Sequence, residues 1–343
     1  MATRRTTPTA RRIAAAVAVT GGVALSLLAV PAGASAQPQL PPVAPEELVS
    51  SVLAAQREPF AGTVEVTNEL GLPALPNMPL TADGSGTARV WSNGPNGGRV
   101  QLPTDGGERT LVSDGTTFWA WNSEDRTVIT GPREARPTDA PGAATDPTVA
   151  ANEMLTRLRT SSDVTVEGST EVAGRSAYEL VLTPKPTERT LLREIRIAVD
   201  AQKRTPLRMT VLGNGSPDPA LQVGFTELTF GPQDAALFTF TPPPGATVQQ
   251  REPREPARAG TNSDRTVVGD GWDTVVVRKR PAPQPGEPAP PMPDLSTLGT
   301  AVSGPWGSGH LLRSAIGNAI VTDDGRIAAG AVPEQLLDEA LSK

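Results

Sequence analysis

Between Val164 and Phe230 the chain leaves little freedom of fold, because five β-type segments follow one another in quick succession. They are Val164 to Glu167, Ser176 to Thr183, Glu194 to Asp200, Leu207 to Leu212 and Gln222 to Phe230, each alternating in polarity or rich in β-branched residues. Successive side chains on a strand point to opposite faces, so Tyr178/Leu180/Leu182, Ile195/Ile197/Val199, Leu207/Met209/Val211 and Leu228/Phe230 form aligned apolar faces. Turns are supplied by Asp200 to Arg204 and by Gly213 to Asp218. The pattern predicts a long meander whose strands carry aligned apolar faces.

A second β-rich stretch runs from Val112 to Ile129. Asp114-Gly115 turns the chain, Phe118-Trp119-Ala120-Trp121 alternates, and a turn at Asn122 to Asp125 returns it as Arg126-Thr127-Val128-Ile129. Trp119 and Trp121 therefore share a sheet face. In a chain with only 3% aromatic residues, that pairing concentrates two of the five tryptophans on one spot. Upstream, Phe60 to Val66, Thr87 to Trp91 and Gly98 to Leu102 read as further strands, with a proline-bearing loop from Gly71 to Pro79 between the first two.

Two helices interrupt the strands. In the first, Pro45 suits the opening position, Glu46 and Glu47 favour the positive helix end, and Leu48, Val49, Val52 and Leu53 form a stripe. A loop from Gly131 to Thr145 precedes the second, where Asp146 is the expected N-cap, Pro147 the first position, and Met154, Leu155 and Leu158 the apolar stripe, ending near Thr160.

Composition narrows the function. The 343 residues include 36 prolines, 33 glycines, one histidine and no cysteine, and the net charge is −6. Four of the arginines, Arg4, Arg5, Arg11 and Arg12, precede an apolar run from Ile13 to Val30, so the remainder is more acidic still and nucleic acid is not an expected partner. Ala34-Ser35-Ala36 fits the small-x-small pattern of signal peptidase, which predicts an export signal over residues 1–36 and cleavage before Gln37. The apolar run is also long enough to anchor the chain in a bilayer. The absence of cysteine excludes acylation at such a site and leaves an exported chain to hold together without disulfides.

The order of helix, strands, helix and long meander, with Phe60-Ala61-Gly62-Thr63, Asp114 to Trp121, Ile195-Arg196-Ile197-Ala198-Val199-Asp200, Pro206-Leu207-Arg208-Met209 and the ending Phe238-Thr239-Phe240-Thr241-Pro242-Pro243-Pro244-Gly245-Ala246, resembles the LolA/LppX/RseB superfamily of exported lipid-handling proteins. The resemblance covers Pro45 to Val248 and looks closest to the actinobacterial branch. It implies an α+β, mostly β fold in which a strongly curved antiparallel sheet forms a half-barrel covered by amphipathic helices, with acyl chains held between them. Phe238 to Thr241 is then expected as a strand cut off by prolines.

Four regions are expected: residues 1–36 as signal or anchor; 37–248 as the half-barrel; 249–294 as a connecting region with a strand near Asp270 to Val277 and a proline-rich stretch from Pro281 to Pro293; and 295–343 as a small C-terminal α+β region. In the last, a turn at Asp323-Asp324-Gly325, a strand from Arg326 and a helix opened by Pro333-Glu334 are predicted. The added region is similar to the RseB arrangement.

No catalytic constellation emerges. His310 is the sole histidine and lies in a glycine-rich segment, Gly84-Ser85-Gly86 is too short to cradle a phosphate, and Asp323-Asp324-Gly325 lacks the oxygen ligands of a calcium loop. The chain is expected to be neither an enzyme nor dependent on a cofactor or metal. Its expected partners are a lipid or lipidated protein and, in an alternative RseB-like role as an envelope sensor, a membrane anti-sigma factor. Candidates for lining an acyl cavity are Trp119, Trp121, Leu180, Leu182, Ile195, Ile197, Met209 and Val211. Alternation does not say which side of a curved sheet faces inward, so ordinary packing is the competing reading for each of them.

Overall fold

The computed structural model describes residues 40–72, 83–95, 97–104, 106–133, 147–251, 265–279 and 299–343. The expected export segment, the Asp146 cap, the stretch 281–293 and most of the loops after Gly71 and Gly131 lie outside the described residues.

Helix α1 (Pro45–Ala54) and helix α2 (Pro147–Ser161) form where the stripes predicted them. Pro45 opens α1, where its missing N–H costs nothing, and Glu46 and Glu47 occupy the first turn. The helices lie against each other and are joined by an Arg159–Glu46 ion pair.

Twelve strands form the larger sheet. The first six are β1 (Phe60–Asn68), β2 (Gly84–Ser92), β3 (Gly98–Thr104), β4 (Gly107–Ser113), β5 (Thr117–Asn122) and β6 (Thr127–Pro132). After α2 come β7 (Ser162–Val172), β8 (Arg175–Pro184), β9 (Leu192–Asp200), β10 (Pro206–Gly213), β11 (Pro219–Phe230) and β12 (Thr247–Gln250). Their spatial order is β12-β6-β5-β4-β3-β2-β1-β11-β10-β9-β8-β7, so β1 is the strand that joins the two meanders. All neighbours are antiparallel except β12, which adds to β6 in parallel. The sheet curls strongly: β7 touches β11 although three strands separate them in the ladder, a spacing of roughly 19 Å in a flat sheet.

The turns follow the predicted chemistry. Asp114 accepts hydrogen bonds from the Thr116 and Thr117 amides, each 2.8 Å, and Gly115 takes the positive φ of 99° that completes the turn. One expected strand is absent. Ala235–Phe238 forms a short 3₁₀ turn, capped by Asp234 on the Ala236 amide, and the next strand begins only at Thr247. The physical reason lies in Pro242-Pro243-Pro244, three residues without an N–H to donate to a ladder.

A second sheet of six strands comprises β13 (Arg265–Val268), β14 (Val275–Lys279), β15 (Thr300–Gly304), β16 (Gly307–Arg313), β17 (Asn318–Thr322) and β18 (Arg326–Gly330), in the order β13-β14-β18-β17-β16-β15. Helix α3 (Glu334–Leu341) closes one face, burying Leu336, Leu337, Ala340 and Leu341 against Val275, Leu311, Ile320, Ala328 and Val332. Because β14 pairs with β18, the boundary expected between residues 294 and 295 runs through this sheet. The strand expected from Asp270 starts only at Val275, since Trp272 is committed to the seam with the larger sheet.

At that seam the Trp272 indole donates to Ser162 Oγ at 2.7 Å and its amide to Glu188 at 2.8 Å. Leu191 N donates to Ala331 O, and Ala315 N to Leu70 O. Ser162 is buried, so its partner spares a hydroxyl from being desolvated alone.

Candidate functional site

Cross-strand register divides the larger sheet into two faces. Residues directly opposite one another point to the same side, and the row Leu180–Ile197–Met209–Val223–Val66 crosses five strands on one of them. The next row adds Leu182, Ile195, Val211 and Leu221. Both helices pack on this side: Leu48, Val49, Ala151 and Leu155 meet Val164, Tyr178, Leu180 and Val199, with Leu182 and Ile197 against them.

The helices cover only one end of that face. Along β10 the cover thins, and Met209 is 39% exposed. Beyond β1 the same face carries Val64, Val90, Val100, Leu111, Ala120 and Ile129, placed side by side by the register. Leu111 is 53% exposed and Ile129 40%. An open groove of about 600 Å³ runs over this part, bordered by Phe60, Val64, Val90, Val100, Leu111, Phe118 and Phe225. Phe60 and Phe225 meet edge to face with centroids 5.7 Å apart. Gly62 makes their approach possible, because a Cβ there would lie 2.9 Å from the Phe225 ring.

The opposite face is sealed differently. Trp119 pairs with Val112, and Trp121 with Thr110, which places both tryptophans on the side that carries Arg99, Arg208, Ala198 and Glu179. Trp121 is buried against Phe240, centroids 6.5 Å apart, where the chain crosses back from β11 to β12 over β3 and β4. Arg99 Nη1 donates to Leu237 O, and Phe238 is buried. Further along this side Arg196 gathers Glu194, Glu179 and Glu167, and these carboxylates hold its guanidinium protonated far above the ordinary arginine value.

The eight sequence candidates therefore separate. Leu180, Leu182, Ile195, Ile197, Met209 and Val211 share the helix-bearing face, while Trp119 and Trp121 belong to the other. Trp119 borders the groove from its place in β5, whereas Leu180 and Val211 are buried, Leu182, Ile195 and Ile197 are half-buried, and Met209 is exposed. The groove residues Val64, Val90, Val100, Leu111 and Phe118 were not singled out. Their signal was present as alternation spread over five short strands, β1 to β5, and diluted by glycine or polar neighbours.

At the sheet end beside the groove, the β9–β10 turn is built on Asp200. Its side chain is buried and accepts from the Gln202 and Lys203 amides at 2.8 and 2.6 Å and from Arg175. Burial opposes its ionisation, but these donors outweigh that cost and hold the carboxyl below its ordinary value.

No protein-family model matches the chain, and no curated protein matches it in sequence. Solved structures do. The Pseudomonas aeruginosa MucA/MucB complex contains a chain 18% identical, with 86% of this chain aligned to 94% of that one and a TM-score of 0.45. The LolA superfamily protein NE2245 from Nitrosomonas europaea is 12% identical over 58% of this chain and 99% of its own, with a TM-score of 0.25. The Mycobacterium tuberculosis lipoprotein LppX is 10% identical over 55% and 94%, with a TM-score of 0.32.

Proposed function

We propose that this protein binds a lipid or lipidated molecule outside the cytoplasmic membrane, holding its acyl part against the helix-bearing face. One observation carries the reading. A single apolar face is covered by helices over β7 to β9 and left open over β1 to β6, where Leu111 and Ile129 face solvent beside a groove of about 600 Å³. An apolar surface of this kind is exposed to water only at a cost, which an acyl chain laid across it removes. The export signal read in residues 1–36 supports that location, and among the described residues no helix is long and apolar enough to cross a membrane.

A sensor role is the second reading, favoured by the way the C-terminal sheet is tied to the larger one. Trp272, Glu188 and Ser162 link the two through hydrogen bonds next to the start of β7, a route by which a filled groove would reach the added sheet.

Native mass spectrometry of protein purified without detergent tests the binding. A co-purifying acyl species is expected, and a Leu111→Asp variant should lose it, because a carboxylate against the chain would be desolvated without a partner. An empty wild-type protein that also fails to take up fatty acid would rule the reading out.

A further inference from the structure

We infer that the ligand is an anionic amphiphile whose charged group is met by Arg204 at the end of the groove; this rests on the acyl-binding reading above. The observation is an orphaned cation. Arg204 Nη1 is buried and has no hydrogen-bond partner, although a guanidinium nitrogen removed from water ordinarily finds an acceptor. The guanidinium stacks 5.1 Å from the Tyr178 ring centre, which steadies the charge but gives Nη1 no acceptor.

Its position is fixed by the backbone. Arg204 stands at φ 56°, a left-handed conformation that an arginine rarely adopts, and its amide donates to Asp200 O. Asp200 in turn holds the two preceding amides. The turn therefore presents Arg204 in a strained but determined pose, the kind that persists where a site needs it.

Arg204 borders a recess of about 340 Å³ between α1 and the β9–β10 turn. That recess shares Arg57, Phe60 and Ser92 with the apolar groove, so a chain lying in the groove can continue past Phe60 to the cation. Arg57 is exposed at the junction and makes no side-chain hydrogen bond or ion pair among the described residues, whereas the neighbouring Lys203 is already paired with Glu58 at 2.7 Å. Arg57 and Arg204 thus both border one end of an apolar track, where a carboxylate or phosphate head group would meet them.

Oleate and oleyl alcohol, which share a chain and differ in the head group, test this on the full-length, delipidated protein. The wild type should bind oleate about tenfold more tightly, the worth of one charge-assisted hydrogen bond. Arg204→Gln should bring oleate down to the alcohol's affinity and leave the alcohol unchanged, and Arg204→Lys should restore part of the preference. Should Arg204→Gln fold poorly, Arg57→Gln, at an exposed position, should lower oleate affinity severalfold without changing alcohol binding. Equal affinities for both probes, unaffected by either substitution, would overturn the head-group site while leaving acyl binding intact. Binding of neither probe would instead overturn the acyl reading itself. Inorganic phosphate competing with oleate without displacing the alcohol supports an anion subsite, and phosphate binding alone, with no uptake of oleate, would show a free-anion site and overturn the amphiphile.

Discussion

In the C-terminal sheet, α3 sets Leu336, Leu337, Ala340 and Leu341 onto β14, β17 and β18, and the contact buries Val275, Ile320, Ala328 and Val332. In the larger sheet, α1 and α2 do the same over β7 to β9 but stop short of β1 to β6, leaving Leu111, Ile129 and Met209 partly in water. The same rule, that an apolar sheet face seeks a helix, is satisfied in one sheet and half satisfied in the other. On the proposed acyl-binding reading, the difference separates surface that serves stability from surface that takes up the ligand. Substitutions on covered and uncovered positions should therefore part company.

The largest effect is expected at Leu337, which is fully buried. Leu337→Asp should destabilise the C-terminal sheet by more than about 3 kcal/mol, since a lone carboxylate would lose its hydration there. Thermal unfolding unchanged from wild type would show that α3 does not close this core. Next is Leu155→Ala in α2, expected to cost about 3 kcal/mol through lost contacts and a residual void. A denaturant midpoint within error of wild type would mean that the helix cover over β7 to β9 is as dispensable as the open part.

Asp200→Asn should cost about 2 kcal/mol at neutral pH, through the weakened link to Arg175 and the turn amides. Its sign with pH is specific. The folded carboxyl is held below its unfolded value of about 3.9, so its stabilisation is present above that pH and fades as pH falls through the folded value. The variant should accordingly show a shallower loss of stability on acidification below about pH 4; an acid limb parallel to wild type would remove Asp200 from that role.

The smallest effect on folding is expected at Met209, on the same face as Leu155's contacts but 39% exposed. Met209→Asp should change stability by less than about 1 kcal/mol while abolishing fluorescent fatty-acid binding. Global unfolding would assign Met209 to the packed core, and unchanged binding in a folded protein would confine the acyl chain to the groove over β1 to β5.

Much of this was legible in the sequence. The stripes of Leu48 and Leu155 and the alternation of Tyr178, Ile197 and Met209 each report a local period, and the turns at Asp114 and Asp200 depend on side chains that bond their own neighbours. The Phe238 to Thr241 strand was misread because alternation there reflects packing of Phe238 and Phe240 over the other face, while the prolines deny it a ladder. The groove escaped notice because Val64, Val90, Val100 and Leu111 come from four strands, none of which is strongly apolar alone.

The sequence by itself determined which residues pair as alternating sets, where the chain turns and that the two helices each own one apolar stripe, because these follow from interactions within a few residues. Which set meets the helices, that Trp119 and Trp121 lie on the other side, and where the cover runs out were decided by tertiary structure alone. The physical reason is that a strand presents two faces of equal local standing. Only the pairing of β1 with β11, residues more than a hundred and fifty positions apart, joins the two meanders into one surface and fixes which of their faces become continuous.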